Sequence, residues 1–198
     1  MARLTIIVPT AGTRAGTLVR TLASIAPQLE PGDEVMVACN SDANYGDRAI
    51  DRCQAKADGD VVLFCDDDDV YLDGALRRIR AWVDANPGRI GLFRRAFNNG
   101  SRQWRLPEMT RGNIQRMCIV LPNVPGKMPT WTGCESEMFI ARDAAELQGT
   151  DYVFVDDVIG LARPHELTFR LRIQYALRLR SRLRQLRGAR YDDAVRSA

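Results

Sequence analysis

The sequence predicts an α/β domain on a mostly parallel, twisted sheet flanked by helices, and three observations carry that prediction. Short apolar runs that read as buried strands alternate with helical periodicity, one strand every ~25–30 residues. The run at 61–65 ends in four consecutive aspartates, the place where open α/β sheets present their ligands. The composition, 45% hydrophobic and 27% charged over 198 residues, suits one globular domain and excludes a disordered, collagenous or disulfide-dense chain.

The elements follow in order. RLTIIV (3–8) is an apolar strand stopped by Pro9, and PTAGTRAGT is a loop. Leu18, Leu22, Ile25 and Leu29 step by 4, 3 and 4, so a helix packs one face inward, its regular part ended by Pro27. EVMVAC (34–39) is a second strand, GDRAIDRCQAKA (46–57) a helix, and VVLFC (61–65) a third strand. Leu72, Leu76, Ile79 and Val83 repeat the 4, 3, 4 spacing in a helix from Gly74 to Asn86, with Asp73 as its N-cap. RIGLF (89–93) is a fourth strand. Gly100, Pro107, Gly112, Pro122 and Pro125 then break the rhythm, which predicts a mixed region with an antiparallel strand near Met117–Leu121. A helix at 142–148, a short loop DYVFVDDV and an Arg-rich segment close the chain.

Charge is divided unevenly. Residues 1–160 carry 18 basic and 22 acidic side chains, a net −4, whereas 161–198 carry ten Arg and three acids, a net +7. We therefore expect an acidic α/β domain over 1–162 and a basic helical segment over 163–198. No run approaches the ~18 apolar residues of a membrane span, and MARLTIIVPT lacks the basic region of a secretory signal. The expectation is a cytoplasmic protein, with peripheral membrane attachment open. Cys39, Cys53, Cys65, Cys118 and Cys134 form no CxxC pair, so reduced thiols are expected. A zinc site does not fit this spacing with a single His; a metal here would be held by carboxylates, which favours Mg²⁺ or Mn²⁺.

FCDDDDVY (64–71) carries the strongest chemical signal. Adjacent carboxylates in a crevice repel one another, and a divalent cation neutralises them most simply. In extended geometry Asp66 and Asp68 share one face, Asp67 and Asp69 the other.

TIIVPT, the helix after it, EVMVAC, then Ala57, Gly59 and Asp60, then VVLFCDDDD resemble the family 2 inverting glycosyltransferases of the GT-A fold. The resemblance spans residues 3–165 and implies that a nucleotide-diphosphate sugar donates its sugar, of the hexosyl type, to an acceptor hydroxyl. It implies a DxD motif in which Asp66 lies near the ribose and Asp68 on Mn²⁺ or Mg²⁺, with Asp67 also in the nucleotide site. Pro9 and Thr10 would line the nucleotide pocket, and Asn40 or Asp42 would meet the base where the family carries paired Asp. The pair Asp156 and Asp157, with Arg163 six residues on, resembles the family's acidic pair and makes Asp157 the catalytic base beside Asp156. His165 would complete the metal shell. Trp104 and Trp131 are open between stacking on a ligand and core packing, and Glu135 and Glu137 flank the acceptor region without a role.

The acceptor implied is a saccharide, a lipid-linked sugar or a modified DNA base. In the Arg-rich segment arginines alternate with Leu, Ile and Tyr, which suits an anionic membrane surface, a nucleic-acid or other polyanionic acceptor, a cover for the acidic body or a subunit contact. Two further readings stand beside the transferase. One is a non-catalytic domain binding nucleic acid or membrane through the basic segment. The other is a nucleotidyltransferase, for which AGTRAG (11–16) is a faint phosphate loop.

Overall fold

The structure is a computed structural model and describes residues 1–13, 15–39, 47–131 and 137–164. These fall within a compact unit, Met1–His165. Asn40, Asp42, His165 and the basic segment after Pro164 lie outside the described residues.

Eight strands form one sheet: β1 (Leu4–Thr10), β2 (Glu34–Cys39), β3 (Val61–Phe64), β4 (Val70–Tyr71), β5 (Ile90–Ala96), β6 (Arg102–Gln103), β7 (Ile119–Pro122) and β8 (Tyr152–Leu161). Their order is β2-β1-β3-β7-β5-β8-β4, with β6 paired to β5. β1 pairs in parallel with β2 and β3, and β5 with β8; β7 runs antiparallel between β3 and β5. Five strands therefore point the same way, and their carboxyl ends share one edge. The helices are α1 (Ala15–Ile25), α2 (Asp47–Gln54), α3 (Ala75–Ala85) and α4 (Glu137–Gln148).

Alternation along the strands divides the core in two. Leu4, Ile6, Val8, Leu63 and Phe93 pack with Ile25 of α1 and Leu76 and Ile79 of α3. Ile7, Val62, Phe64 and Leu92 pack with Ile50 of α2 and Ile140 and Ala144 of α4. Leu18, Leu22 and Leu29 join the first cluster, as their spacing predicts. Pro27 falls in a 3-10 turn, Ala26–Gln28, where α1 ends. Trp104 and Trp131 are 4% and 3% exposed in the second cluster, which settles both for packing.

Three local readings are corrected. Asp73 does not cap α3: Gly74 takes the cap position at φ 72° with no side-chain cap bond, and the Asp73 carbonyl accepts from Arg78 Nη1 at 3.2 Å. α4 begins at Glu137, ahead of the expected 142. Residues 152–161 are the ten-residue strand β8 rather than a loop. There Leu92↔Phe154 is followed by Arg94↔Val158, so two steps of β5 face four of β8. The bulge takes up Asp156 and Asp157, whose adjacency breaks the apolar alternation that marks a strand.

Candidate active site

The aspartates leave the end of β3 as a tight turn rather than an extended run: Asp69 N–H donates to Asp66 O at 3.0 Å. Thr21 Oγ1 of α1 donates to Asp69 O at 2.6 Å and pins the turn to that helix. Burial then separates the four carboxylates. Asp66 is 27% exposed and accepts from Arg116 Nη1 at 2.6 Å. Asp67 is buried and accepts from Thr10 Oγ1 at 2.7 Å, while that oxygen accepts from Gly12 N–H at 3.1 Å. Asp68 faces Arg163 Nε at 3.5 Å. Asp69 is 1% exposed, paired with Arg95, and accepts Arg163 N–H at 3.0 Å. Burial lifts the Asp69 carboxyl to about 6, with Arg95 pulling the other way.

Of the residues expected at the site, the structure brings together Pro9, Thr10, Asp66, Asp67 and Asp68. Pro9 is buried and pairs with Ala38 where β1 runs beside β2. Asn40, Asp42 and His165 are not described. Asp156 and Asp157 sit further back along β8. Asp157 lies four residues before Leu161, about 13 Å of strand. Its carboxylate accepts from Arg78 Nε of α3 at 2.7 Å. Asp156 pairs with Arg94 Nη1 at 3.1 Å, and that guanidinium lies 4.1 Å from the Trp104 ring centroid.

Three residues the sequence reading missed, and Glu137, which it left without a role, complete the edge. Arg95 lies near the end of β5, where charge follows the apolar GLF run much as the aspartates follow VVLFC. Arg116 is 8% exposed, its guanidinium is 5.1 Å from the Trp131 ring, and its buried Nε has no hydrogen-bond partner. Thr21 looks from the sequence like one more polar helix position. Glu137 opens α4, half-buried. Burial raises its pKa, the nearby Arg116 charge opposes that shift, and Asp66 adds to it. The edge thus combines paired carboxylates, guanidiniums and one acid biased toward its protonated form.

Cys39, Cys53, Cys65 and Cys118 are free thiols, and no helix among the described residues is long and apolar enough to cross a membrane. Among the described residues no three His, Cys, Asp or Glu side chains converge.

The chain is similar in fold to S. aureus TarS. For TarS 1-349 the identity is 15% and the TM-score 0.61, over 81% of this chain and 60% of that one. For TarS 1-349 in complex with UDP-GlcNAc the values are 14% and 0.60, over 84% and 60%. For a longer TarS chain they are 16% and 0.60, over 81% and 36%. This chain thus spans about 60% of the length of TarS 1-349. No curated protein sequence matches it. The model of Glycosyl transferase family 2 matches residues 41–142, just over half of the 198 residues and the stretch that contains the aspartate turn. The fold is GT-A, and the chain belongs to glycosyl transferase family 2.

Proposed function

We propose that this domain moves a sugar from a nucleoside-diphosphate sugar to an acceptor hydroxyl with inversion at the sugar carbon. The observation that carries the reading is the turn Asp66–Asp69 at the carboxyl edge of the parallel strands, with two carboxylates facing outward and two held inward. The nucleotide would sit beside Pro9, Thr10 and Asp67, a reading that the buried Thr10–Asp67 bond at this edge supports, with Asn40 and Asp42 as partners for the base. TarS in complex with UDP-GlcNAc supports a donor of that class.

The donor set fits a divalent metal. Mg²⁺ and Mn²⁺ at nucleotide sites take one or two carboxylates and complete their shell from substrate phosphates, so a protein cluster of three ligands is not required. Asp66 and Asp68 are those two carboxylates, and His165 is a third candidate. When bound, the ion supplies charge neutralisation of the diphosphate leaving group. Arg116 and Arg163 stand at the same carboxylates and add positive charge for the phosphates.

The acceptor hydroxyl needs a base on the far side of the sugar from the departing diphosphate. Asp157 is the base that the resemblance to the family implies, yet its carboxylate is engaged by Arg78. Glu137 is the other candidate: it opens α4, is half-buried, and burial raises its pKa. We assign the base to Glu137, with Asp157 as the second reading. Saccharide, lipid-linked and nucleic-acid acceptors all remain within this proposal, as does docking of a membrane or polyanion through the basic segment. Cytoplasmic residence is part of it.

Metal-dependent hydrolysis of nucleotide-sugars, measured over a donor panel, tests the reading. Release of nucleoside diphosphate from at least one donor, lost on chelation, is expected. Tight binding of nucleic acid or vesicles with no turnover of any donor would favour the non-catalytic reading. Transfer of a nucleotidyl group would favour the nucleotidyltransferase.

A further inference from the structure

Arg116 is held at the aspartate turn with one of its donors unused. Its side chain is 8% exposed, its Nη1 donates to Asp66 Oδ1 at 2.6 Å, and its buried Nε has no hydrogen-bond partner. Asp47, in the first turn of α2, is 4% exposed, and its buried Oδ1 has no hydrogen-bond partner among the described residues either. Burial lowers the Arg116 pKa, yet the charges of Asp66, Glu137 and Asp47 outweigh it and raise the pKa above the ordinary value, so Asp47 lies within the field of the guanidinium. An orphaned donor and an orphaned carboxylate oxygen thus share one buried region.

One side of α2 serves this region. Asp47, Asp51 and Gln54 are spaced by four and three, so they lie along one side of the helix. Asp51 Oδ1 accepts from Trp131 N–H at 3.0 Å, Trp131 Nε1 donates to Gln54 Oε1 at 3.3 Å, and Gln54 Nε2 donates to Pro129 O at 2.8 Å. The Trp131 ring meets Phe64 edge-on at 4.9 Å between centroids and lies 5.1 Å from the Arg116 guanidinium. Asp51 and Gln54 therefore fix the ring beside which Arg116 sits, and Asp47 is the residue of that row left with an unused acceptor.

We propose that Asp47 is a positioning residue that takes up Arg116 when a divalent ion and the donor diphosphate occupy the aspartate turn. The inference rests on the transferase reading and adds a residue to it. With a cation at Asp66, that carboxylate has less negative charge to offer Arg116, and the guanidinium is repelled by the ion beside it. Arg116 is too buried for water to make up the loss, and a buried charge deprived of its partner is strongly destabilising. Asp47 Oδ1 then accepts from Arg116 Nε, the Trp131 ring keeps the guanidinium in its plane, and Nη1 turns from Asp66 to a phosphate oxygen. Glu137, the other carboxylate in this field, stays open to the acceptor hydroxyl as the base. The exchange keeps Arg116 charged and in place for the diphosphate without engaging the base.

Calorimetry of UDP binding to the full chain, in Mn²⁺ and in chelator, tests this with wild type and Asp47→Asn. In chelator Arg116 stays on Asp66, and the variant is expected to match wild type within about twofold; in Mn²⁺ it loses a hydrogen bond to a charged group and binds UDP about tenfold or more weakly. Equal losses with and without metal show a structural role and overturn the proposal, as does unaltered affinity in Mn²⁺. A metal-dependent loss in Glu137→Gln but not in Asp47→Asn overturns it in favour of Glu137. Nitrogen-15 NMR of the arginine side chains in Mg²⁺ gives a second readout. The Arg116 Nε–H resonance, assigned by its loss in Arg116→Lys, is expected to move downfield on addition of UDP in wild type and not in Asp47→Asn; a stationary wild-type resonance overturns the proposal. If circular dichroism shows that Asp47→Asn does not fold, Asp47→Ser, which keeps a short polar residue in the first turn of α2, takes its place with the same loss expected. The wild-type resonance decides alone if neither variant folds or if binding in chelator is too weak to measure. A wild type that binds no UDP in either buffer overturns the transferase reading and this inference with it, whereas binding in Mn²⁺ that the variant matches counts against Asp47 alone.

Discussion

Replacing Glu137 by glutamine tests where the acceptor proton goes. Burial raises the pKa of Glu137 from its ordinary 4.5, and Arg116 only partly opposes this. In the unfolded chain the side chain reverts to the ordinary value, so at intermediate pH the folded protein binds the proton more tightly. The stability gained from that proton is present at low pH and is lost as pH rises through the folded pKa. The same ionisation creates the base, so rising pH turns turnover on while it lowers stability. Glutamine removes both effects. Turnover is expected to fall by about 10²–10⁴-fold, the usual worth of a general base, or about 3–5 kcal/mol of barrier, with nucleoside diphosphate affinity nearly kept. The stability difference between variant and wild type should move in favour of the variant as pH rises. Asp157→Asn removes an ion pair with Arg78 in which both side chains are about a third exposed. That is worth at most about 1 kcal/mol, and turnover should stay within about threefold. Release of UDP from a UDP-sugar, followed over a pH series with urea unfolding in the same buffers, reads both quantities. The assignment to Glu137 fails if Asp157→Asn abolishes turnover while Glu137→Gln is mild, or if the stability difference is flat with pH.

Three further outcomes are expected. Asp68→Asn should remove metal-stimulated binding of UDP in calorimetry and leave the circular dichroism spectrum unaltered; unchanged affinity with and without Mn²⁺ would count against the DxD reading. Arg80→Met removes the partner of Asp33, a pair 2% and 1% exposed that ties α3 to the turn before β2. Breaking a buried pair costs about 3–5 kcal/mol, which for a chain of this length lowers Tm by roughly 6–20 °C, so an unaltered Tm would show that the pair is not coupled to folding. Gly59→Ala would set a Cβ 2.6 Å from Thr5 N and 2.7 Å from Thr5 Oγ1 at the start of β1. Because the obstacle is backbone, the cost should reach about 3 kcal/mol by urea unfolding, and a neutral result would place Gly59 in more open surroundings.

What the sequence made legible was whatever depends on local spacing. The 4, 3, 4 steps of Leu18, Leu22, Ile25 and Leu29 reappear as the inward face of α1, and the apolar run 61–65 reappears as β3. β8 was hidden because two aspartates sit where a strand would alternate, and only pairing with β5 and β4, distant in sequence, makes a strand of it. The cap of α3 went astray for a similar reason. Asp73 has the side chain of a cap, but Gly74 adopts the left-handed conformation that begins the helix, and Arg78 engages Asp73 through its carbonyl.

The site shows the same boundary between local and distant information. Four adjacent carboxylates announced a need for positive charge, and their place after β3 announced where. Which groups answer that need was not legible, because Arg95, Arg116 and Arg163 lie 26, 50 and 94 residues away from the aspartates they meet. Their arrival changes how the motif is read. Asp69, 1% exposed and held by Arg95 and the Arg163 N–H, belongs to the framework, and Asp67 is committed to Thr10. Asp66 and Asp68 face arginines at the open side, and Arg163 is 61% exposed and 3.5 Å from Asp68, a distance at which water screens the attraction. A ligand cation or phosphate arriving at Asp68 competes with the exposed Arg163 side chain, whereas at Asp66 it meets a guanidinium only 8% exposed and at Asp69 it would have to displace a buried pair. The division of four similar residues into two that build the turn and two that present it follows from burial, which no local spacing encodes.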